Sequence, residues 1–149
     1  GFTEENLERG LQGALLRPEW RGGAGVVVLG GSSGRVDVVR AGLFAECGVL
    51  AIALRWFGGE GQSPGICEIP IEIFSQAIDR LCEEGCDRIG FVGTSKGAEA
   101  ALLVASYDLR VDIVIAISPS SVVWANVGDR KSTRLNSSHI TRLNSSHIT

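Results

Sequence analysis

Residues 88–106, RIGFVGTSKGAEAALLVAS, limit what this chain can fold into more than any other stretch. An apolar run, five residues reading Gly-x-Ser-x-Gly and an alanine-rich segment follow one another with no room for a loop. That spacing predicts a strand turning sharply into a helix, with Ser95 at the apex and its hydroxyl held out above the end of a sheet. Gly93 and Gly97 are what such a turn requires, because a strained backbone at the serine and a helix lying close on the strand leave no space for a Cβ. Ala98, Ala101 and Ala105 continue the small face down the helix. Ser95 is therefore the candidate nucleophile, attacking a carbonyl carbon while two backbone N–H groups hold the oxygen anion that forms. One donor is expected from Lys96, the residue after the serine, and the other from the loop GGSSG at Ser32 or its neighbour.

The rest of the chain supplies the sheet this turn needs. Residues 11–17 and the runs AGVVVLG and VLAIAL read as strands, the last two apolar throughout, as strands covered on both faces are. Between them a helix is expected from Val36 to near Gly48, with Val39, Leu43 and Cys47 at helical spacing and Ser33 or Asp37 as its cap. A second helix opens near Pro70, carries Phe74, Ala77, Ile78 and Leu81 on one face, and closes at Gly85. A last strand covers 111–118. Repeated βα units with apolar strands predict an α/β fold with a mostly parallel sheet and helices on both faces. Ligands then bind at the carboxyl ends of the strands, where GGSSG, FGGEGQSPG and GTSKG lie.

The tail reads as having a different origin. Residues 134–141 and 142–149 both read RLNSSHIT, and 129–141 resembles an in-frame translation of a sequencing-library adapter. We expect 1–128 to be the domain and 129–149 a foreign, disordered tail, to be kept out of fold reasoning. The tail holds four basic residues and one acid, so residues 1–128 carry 10 Lys and Arg against 16 Asp and Glu, a net charge of −6. Such a body offers no basic stripe for nucleic acid. It also holds no histidine, since His139 and His147 both lie in the tail. No apolar run approaches the roughly 20 residues of a membrane span, and the acidic, polar N-terminus does not read as a signal peptide. Cys47, Cys67, Cys82 and Cys86 have neither CxxC spacing nor histidine partners, which argues against a metal and for reduced thiols in the cytoplasm. Asp108 and Asp112 read as solvated surface charges, and Glu99 as a solvent-facing acid or a residue orienting the turn.

Two nucleotide readings compete. Gly-x-Gly-x-x-Gly ending at Gly34 fails at Leu29, and the next strand ends in Arg55 where an acid would hold a ribose, which leaves only an NADP-type binding domain. A P-loop fails because Lys96 and Gly97 stand in reverse order. No motif implies a cofactor.

VVVLGGSSG, GFVGTSKGAE and SPSSVVWANVG resemble the acyl-CoA thioesterase and bile acid-CoA:amino acid N-acyltransferase family, in its C-terminal α/β-hydrolase domain, from about Leu11 to Gly128. Ser-Lys-Gly followed by Glu99 is typical there. The resemblance implies a partial α/β-hydrolase fold, a nucleophile-Asp-His triad in that chain order, an N-terminal β-sandwich in the whole protein and an acyl thioester, acyl-CoA, as small-molecule substrate. Serine rather than cysteine at position 95 goes with hydrolysis rather than transfer to an amino acid. Neither Asp108 and Asp112 nor the tail histidines fit the triad, so this stretch is expected to be nearly inactive alone. Trp56 and Phe57, at a strand's carboxyl end, either line an acyl pocket or cap the core. A general carboxylesterase or dienelactone-hydrolase-like enzyme remains the alternative.

Overall fold

The computed structural model describes residues 1–31, 34–66, 68–118 and 120–127, together with the backbone of 140–144. They form one eight-stranded sheet in the order β1-β2-β4-β3-β5-β6-β7-β8. Its centre is the four-stranded parallel part that the repeated units predict: β3 (Ala24–Leu29) lies between β4 (Leu50–Leu54) and β5 (Arg88–Thr94), and β6 (Ile113–Ser118) follows β5. All five residues of β4 are buried, which is why its sequence shows no alternation. Antiparallel strands flank this centre, β1 (Phe2–Asn6) and β2 (Gly13–Pro18) on one side, β7 (Ser121–Asn126) and β8 (Ile140–Asn144) on the other.

Right-handed crossovers decide which face each helix covers. The chain steps one way from β3 to β4 and the other way from β4 to β5, so α1 (Val38–Glu46) lies on one face and α2 (Glu72–Glu83) and α3 (Lys96–Tyr107) on the opposite face. The larger core sits under α2 and α3, where Phe74, Ala77, Ile78 and Leu81 bury the predicted stripe against Val27, Ile52 and Phe91. Each large apolar side chain buried there contributes about 1.5–3 kcal/mol. Two backbone bonds close α2 beyond its end, Gly85 N–H to Cys82 and Cys86 N–H to Leu81, and Gly85 takes the left-handed φ of 92° that this closure requires.

Several elements depart from expectation. The face of α1 that meets the sheet is Ala41, Gly42 and Ala45, whereas Val39 is 76% and Leu43 65% exposed and Cys47 is exposed as well. Close approach is the reason: a Cβ on Gly42 would sit 3.2 Å from Phe2, so the thin side of the helix faces inward. Asp37 caps α1 as expected, its carboxylate accepting from the Arg40 N–H at 3.0 Å. β1 was not anticipated, because four of its five residues are exposed and FTEEN carries the charges of an edge strand. β7 pairs along its whole length with β6. Ile140–Asn144, inside the segment set aside as foreign and disordered, pair antiparallel with β7 from Ser121 to Ala125 and continue the sheet beyond it.

One ionic cluster joins the flank to the back of the sheet. Glu84, at the end of α2, accepts from Arg17 of β2 at 2.6 Å and from Arg80 at 3.0 Å. Hydrogen bonding to Arg17 holds the Glu84 carboxyl down at about 2, against an ordinary value of 4.5. A depressed carboxyl contributes stability above its unfolded value and loses it on protonation. Stability measured by urea titration should therefore fall as pH drops from about 4.5 towards 2, and Glu84→Gln should lower the plateau and flatten that fall.

Candidate active site

The predicted turn is built on backbone contact. Ser95 caps α3 with φ 56° and ψ −117°, a region that side-chain-bearing residues occupy at a cost of about 1–3 kcal/mol. Neighbouring bonds hold it there. Its N–H donates to the Ile117 carbonyl on β6 at 3.1 Å, and its own carbonyl accepts from Ala98 and Glu99 in the first turn of α3. The flanking glycines have no latitude. A Cβ on Gly93 would lie 2.1 Å from the Gly97 carbonyl oxygen, and one on Gly97 would lie 2.5 Å from that of Gly30. Ser95 and Lys96 are exposed. The Lys96 N–H belongs to the first turn of α3, where the helix's own ladder supplies no acceptor.

The strand order reverses at β3, so the loops after β3 and β5 leave the sheet side by side. A Cβ on Gly31 would stand 3.8 Å from that of Ser95. Ser32, the expected second oxyanion donor, lies outside the described residues, as do Ser33, Cys67, His139 and His147. Both ends of this loop are tied to the end of β4: Trp56 Nε1 donates to the Gly30 carbonyl at 3.2 Å and Arg55 Nη1 to the Gly34 carbonyl at 2.9 Å. Arg55 is the residue on which an NADP-type reading would depend. Arg40 of α1 forms a further brace, donating to Asp37 and to the Thr94 hydroxyl, both at 2.7 Å. No sequence signal marked Arg40, whose partner stands 54 residues away.

Trp56 and Phe57 separate. Their rings meet edge to face with centroids 4.8 Å apart, and both are buried in the core under α2 and α3. Trp56, with Ile66, Ile69, Phe74 and Leu103, lines an apolar cavity of about 250 Å³ whose remaining wall includes Lys96 and Glu99. Phe57 faces a different cleft, against Gly34. Glu99 is exposed and pairs with Lys96 at 3.3 Å. Asp108 and Asp112 are not the solvated charges the sequence suggested. The Asp108 side chain is 11% exposed and holds Arg110 at 2.9 Å, while Asp112 accepts from the Ile89 N–H at 2.9 Å, anchoring the start of β5. Cys47 and Cys82 are exposed and Cys86 is half-buried, where burial pushes its thiol up. Among the described residues no cluster of side chains could hold a metal ion, and no helix is long and apolar enough to cross a membrane.

A sequence model described as BAAT / acyl-CoA thioester hydrolase C terminal matches residues 69–147. Mouse acyl-coenzyme A amino acid N-acyltransferase 1 is 30% identical over 130 residues, which cover 84% of this chain and 31% of the mouse protein. Human acyl-coenzyme A thioesterase 1 is 29% identical over 133 residues, 86% of this chain and 31% of that protein. The chain thus spans about a third of the length of the curated relatives it matches. Among solved structures, the Penicillium α/β hydrolase GrgF superposes with a TM-score of 0.59 at 21% identity, covering 80% of this chain and 46% of that one. A dienelactone hydrolase from Anabaena variabilis gives 0.58 at 17% identity, covering 77% and 62%. These likenesses establish an α/β-hydrolase fold.

Strain at Ser95 and crowding at Gly93 lead to opposite effects on stability. Ser95→Gly should raise the unfolding free energy by about 1 kcal/mol, since glycine adopts a positive φ without penalty. Gly93→Ala should lower it by about 3 kcal/mol, because the added methyl meets backbone that cannot yield. Urea melts of the two variants check both signs.

Proposed function

The chain belongs to the BAAT / acyl-CoA thioester hydrolase C-terminal family, and from that premise we propose that it is the nucleophile-bearing part of a serine hydrolase acting on acyl thioesters such as acyl-CoA. The observation that carries this reading is the exposed Ser95 at a positive φ, beside the first-turn amide of α3 and the 30–34 loop. The Ser95 hydroxyl attacks the thioester carbonyl carbon. As the Oγ–C bond forms, the serine proton passes to a base, and the carbonyl oxygen takes its negative charge against the Lys96 N–H and a donor from the loop at Ser32 or Gly31. Collapse breaks the C–S bond and releases the thiol. Water then cleaves the acyl-serine, giving the carboxylic acid and free Ser95.

The base is the missing member. Residues 1–128 contain no histidine, and Asp108 and Asp112 are engaged elsewhere in the fold. We place the triad Asp and His in parts of the longer protein outside residues 1–128, and we read 129–149 as foreign to it. The acidic body supports a small-molecule ligand rather than nucleic acid, and the free thiols at Cys47, Cys82 and Cys86 support a cytoplasmic location.

Without its base the chain should turn over acyl-CoA about 10⁴- to 10⁶-fold more slowly than human acyl-coenzyme A thioesterase 1; comparable turnover would defeat the proposal. A fluorophosphonate probe should label the chain slowly, at Ser95 only, and added imidazole should accelerate the labelling by supplying a proton acceptor. Labelling that persists in Ser95→Ala, read by mass spectrometry, would show that the nucleophile has been misassigned.

A further inference from the structure

Two unlike cavities lie on either side of the Trp56–Phe57 pair, one of them lined by Lys96, the residue after Ser95, and we propose that they divide a single ligand between them: the apolar cavity takes the acyl chain, and a cationic cleft takes a phosphate of the thiol carrier. This inference rests on the acyl-thioester reading above and deepens it.

The cleft has a volume of about 560 Å³ and is lined by Gly34, Arg35, Val36, Arg55, Phe57, Gly58 and Pro64. Among the described residues that line it are two arginines and no carboxylate, in a chain whose net charge is −3. Local charge opposite to the overall charge is what selects an anion. A guanidinium offers five N–H donors in a planar fork suited to phosphate. The Gly34 carbonyl takes one from Arg55 at 2.9 Å, which orients the side chain while others remain for a ligand.

The apolar cavity has the complementary chemistry. Ile66, Ile69, Ile71, Phe74 and Leu103 contribute hydrocarbon, and its charged members, Lys96 and Glu99, are paired with each other at 3.3 Å. Trp56 lines this cavity and Phe57 the cleft, so the partition is the edge-to-face pair of consecutive rings. The loop in which a Cβ on Gly31 would stand 3.8 Å from that of Ser95 is tied at Gly30 by Trp56 and at Gly34 by Arg55. Ser95 is thus linked to the hydrocarbon cavity through Lys96 and to the cationic cleft through the loop that ends at Gly34. A ligand with an apolar acyl group and an anionic thiol carrier fits that polarity.

Binding needs no base, so the test uses the full chain carrying Ser95→Ala, with affinities measured by calorimetry. The probes are octanoyl-CoA, acetyl-CoA and octanoyl-N-acetylcysteamine, a thioester with the same chain and no phosphate. Octanoyl-CoA should bind at least tenfold more tightly than octanoyl-N-acetylcysteamine, and the advantage should shrink as salt rises. Arg55→Gln and Arg35→Gln should each cost about tenfold for octanoyl-CoA and leave octanoyl-N-acetylcysteamine unchanged. Because Arg55 also holds the Gly34 carbonyl, Arg35→Gln gives a second reading from an exposed position, and urea melts of both variants check that each stays folded. Leu103→Trp should weaken octanoyl-CoA and spare acetyl-CoA. Equal binding of the two octanoyl thioesters, or equal losses for both in the arginine variants, would overturn the division. Arginine-dependent binding in a chain whose Ser95 never accepts the fluorophosphonate would instead sink the nucleophile reading and leave this one standing.

Discussion

The structure depends on how closely α3 lies against the sheet. Gly97 brings the helix so near β3 that a single methyl would strike the Leu29 and Gly30 carbonyls, and Gly93 gives way to the same helix from the strand side. A contact of backbone on backbone cannot be adjusted by rotating side chains. It forces the chain through a positive φ at Ser95, and bonds to Ile117, Ala98 and Glu99 hold the residue there. Strain of this kind persists only where the surroundings over-determine it. The exposure of the hydroxyl is thus a consequence of packing several residues away.

The second organising fact is the reversal of strand order at β3. Because β4 and β5 flank β3 on opposite sides, the loops that follow β3 and β5 leave the sheet side by side and lead to helices on opposite faces, and the end of β4 reaches across to bind the first of them. Everything with a proposed role lies within this arrangement: Ser95, the Lys96 amide, the 30–34 loop, and the two cavities parted by Trp56 and Phe57. The charge pattern follows the same logic. Acidic residues outnumber basic ones along the chain, while the charged residues lining the cleft beside Gly34, among the described residues, are Arg35 and Arg55.

Legibility of the chain tracked how local the determining physics was. The α2 stripe of Phe74, Ala77, Ile78 and Leu81 was readable because the helix is half-exposed, so period and burial coincide. The same reasoning inverted α1. Val39, Leu43 and Cys47 have the right spacing, yet the sheet takes the side bearing Ala41, Gly42 and Ala45, since close approach there outweighs the burial of larger groups. β1 was hidden because an edge strand needs polar residues rather than apolar ones. Asp108 and Asp112 were misjudged for a related reason: a carboxylate that anchors a turn or a strand start has no periodic signature, only a partner elsewhere in the chain.

By itself the sequence determined the parallel centre of the sheet, the strand-turn-helix at 88–106, the serine at its apex and the absence of histidine from residues 1–128, because each of these is written in composition or short-range spacing. Tertiary structure alone decided that Gly31 comes to rest against Ser95, that Arg40 braces Thr94 from 54 residues away, and that adjacent aromatic rings open onto separate cavities. The physical reason is that those relations arise when crossovers of fixed hand bring distant segments together, and no periodicity along the chain encodes a distance across it.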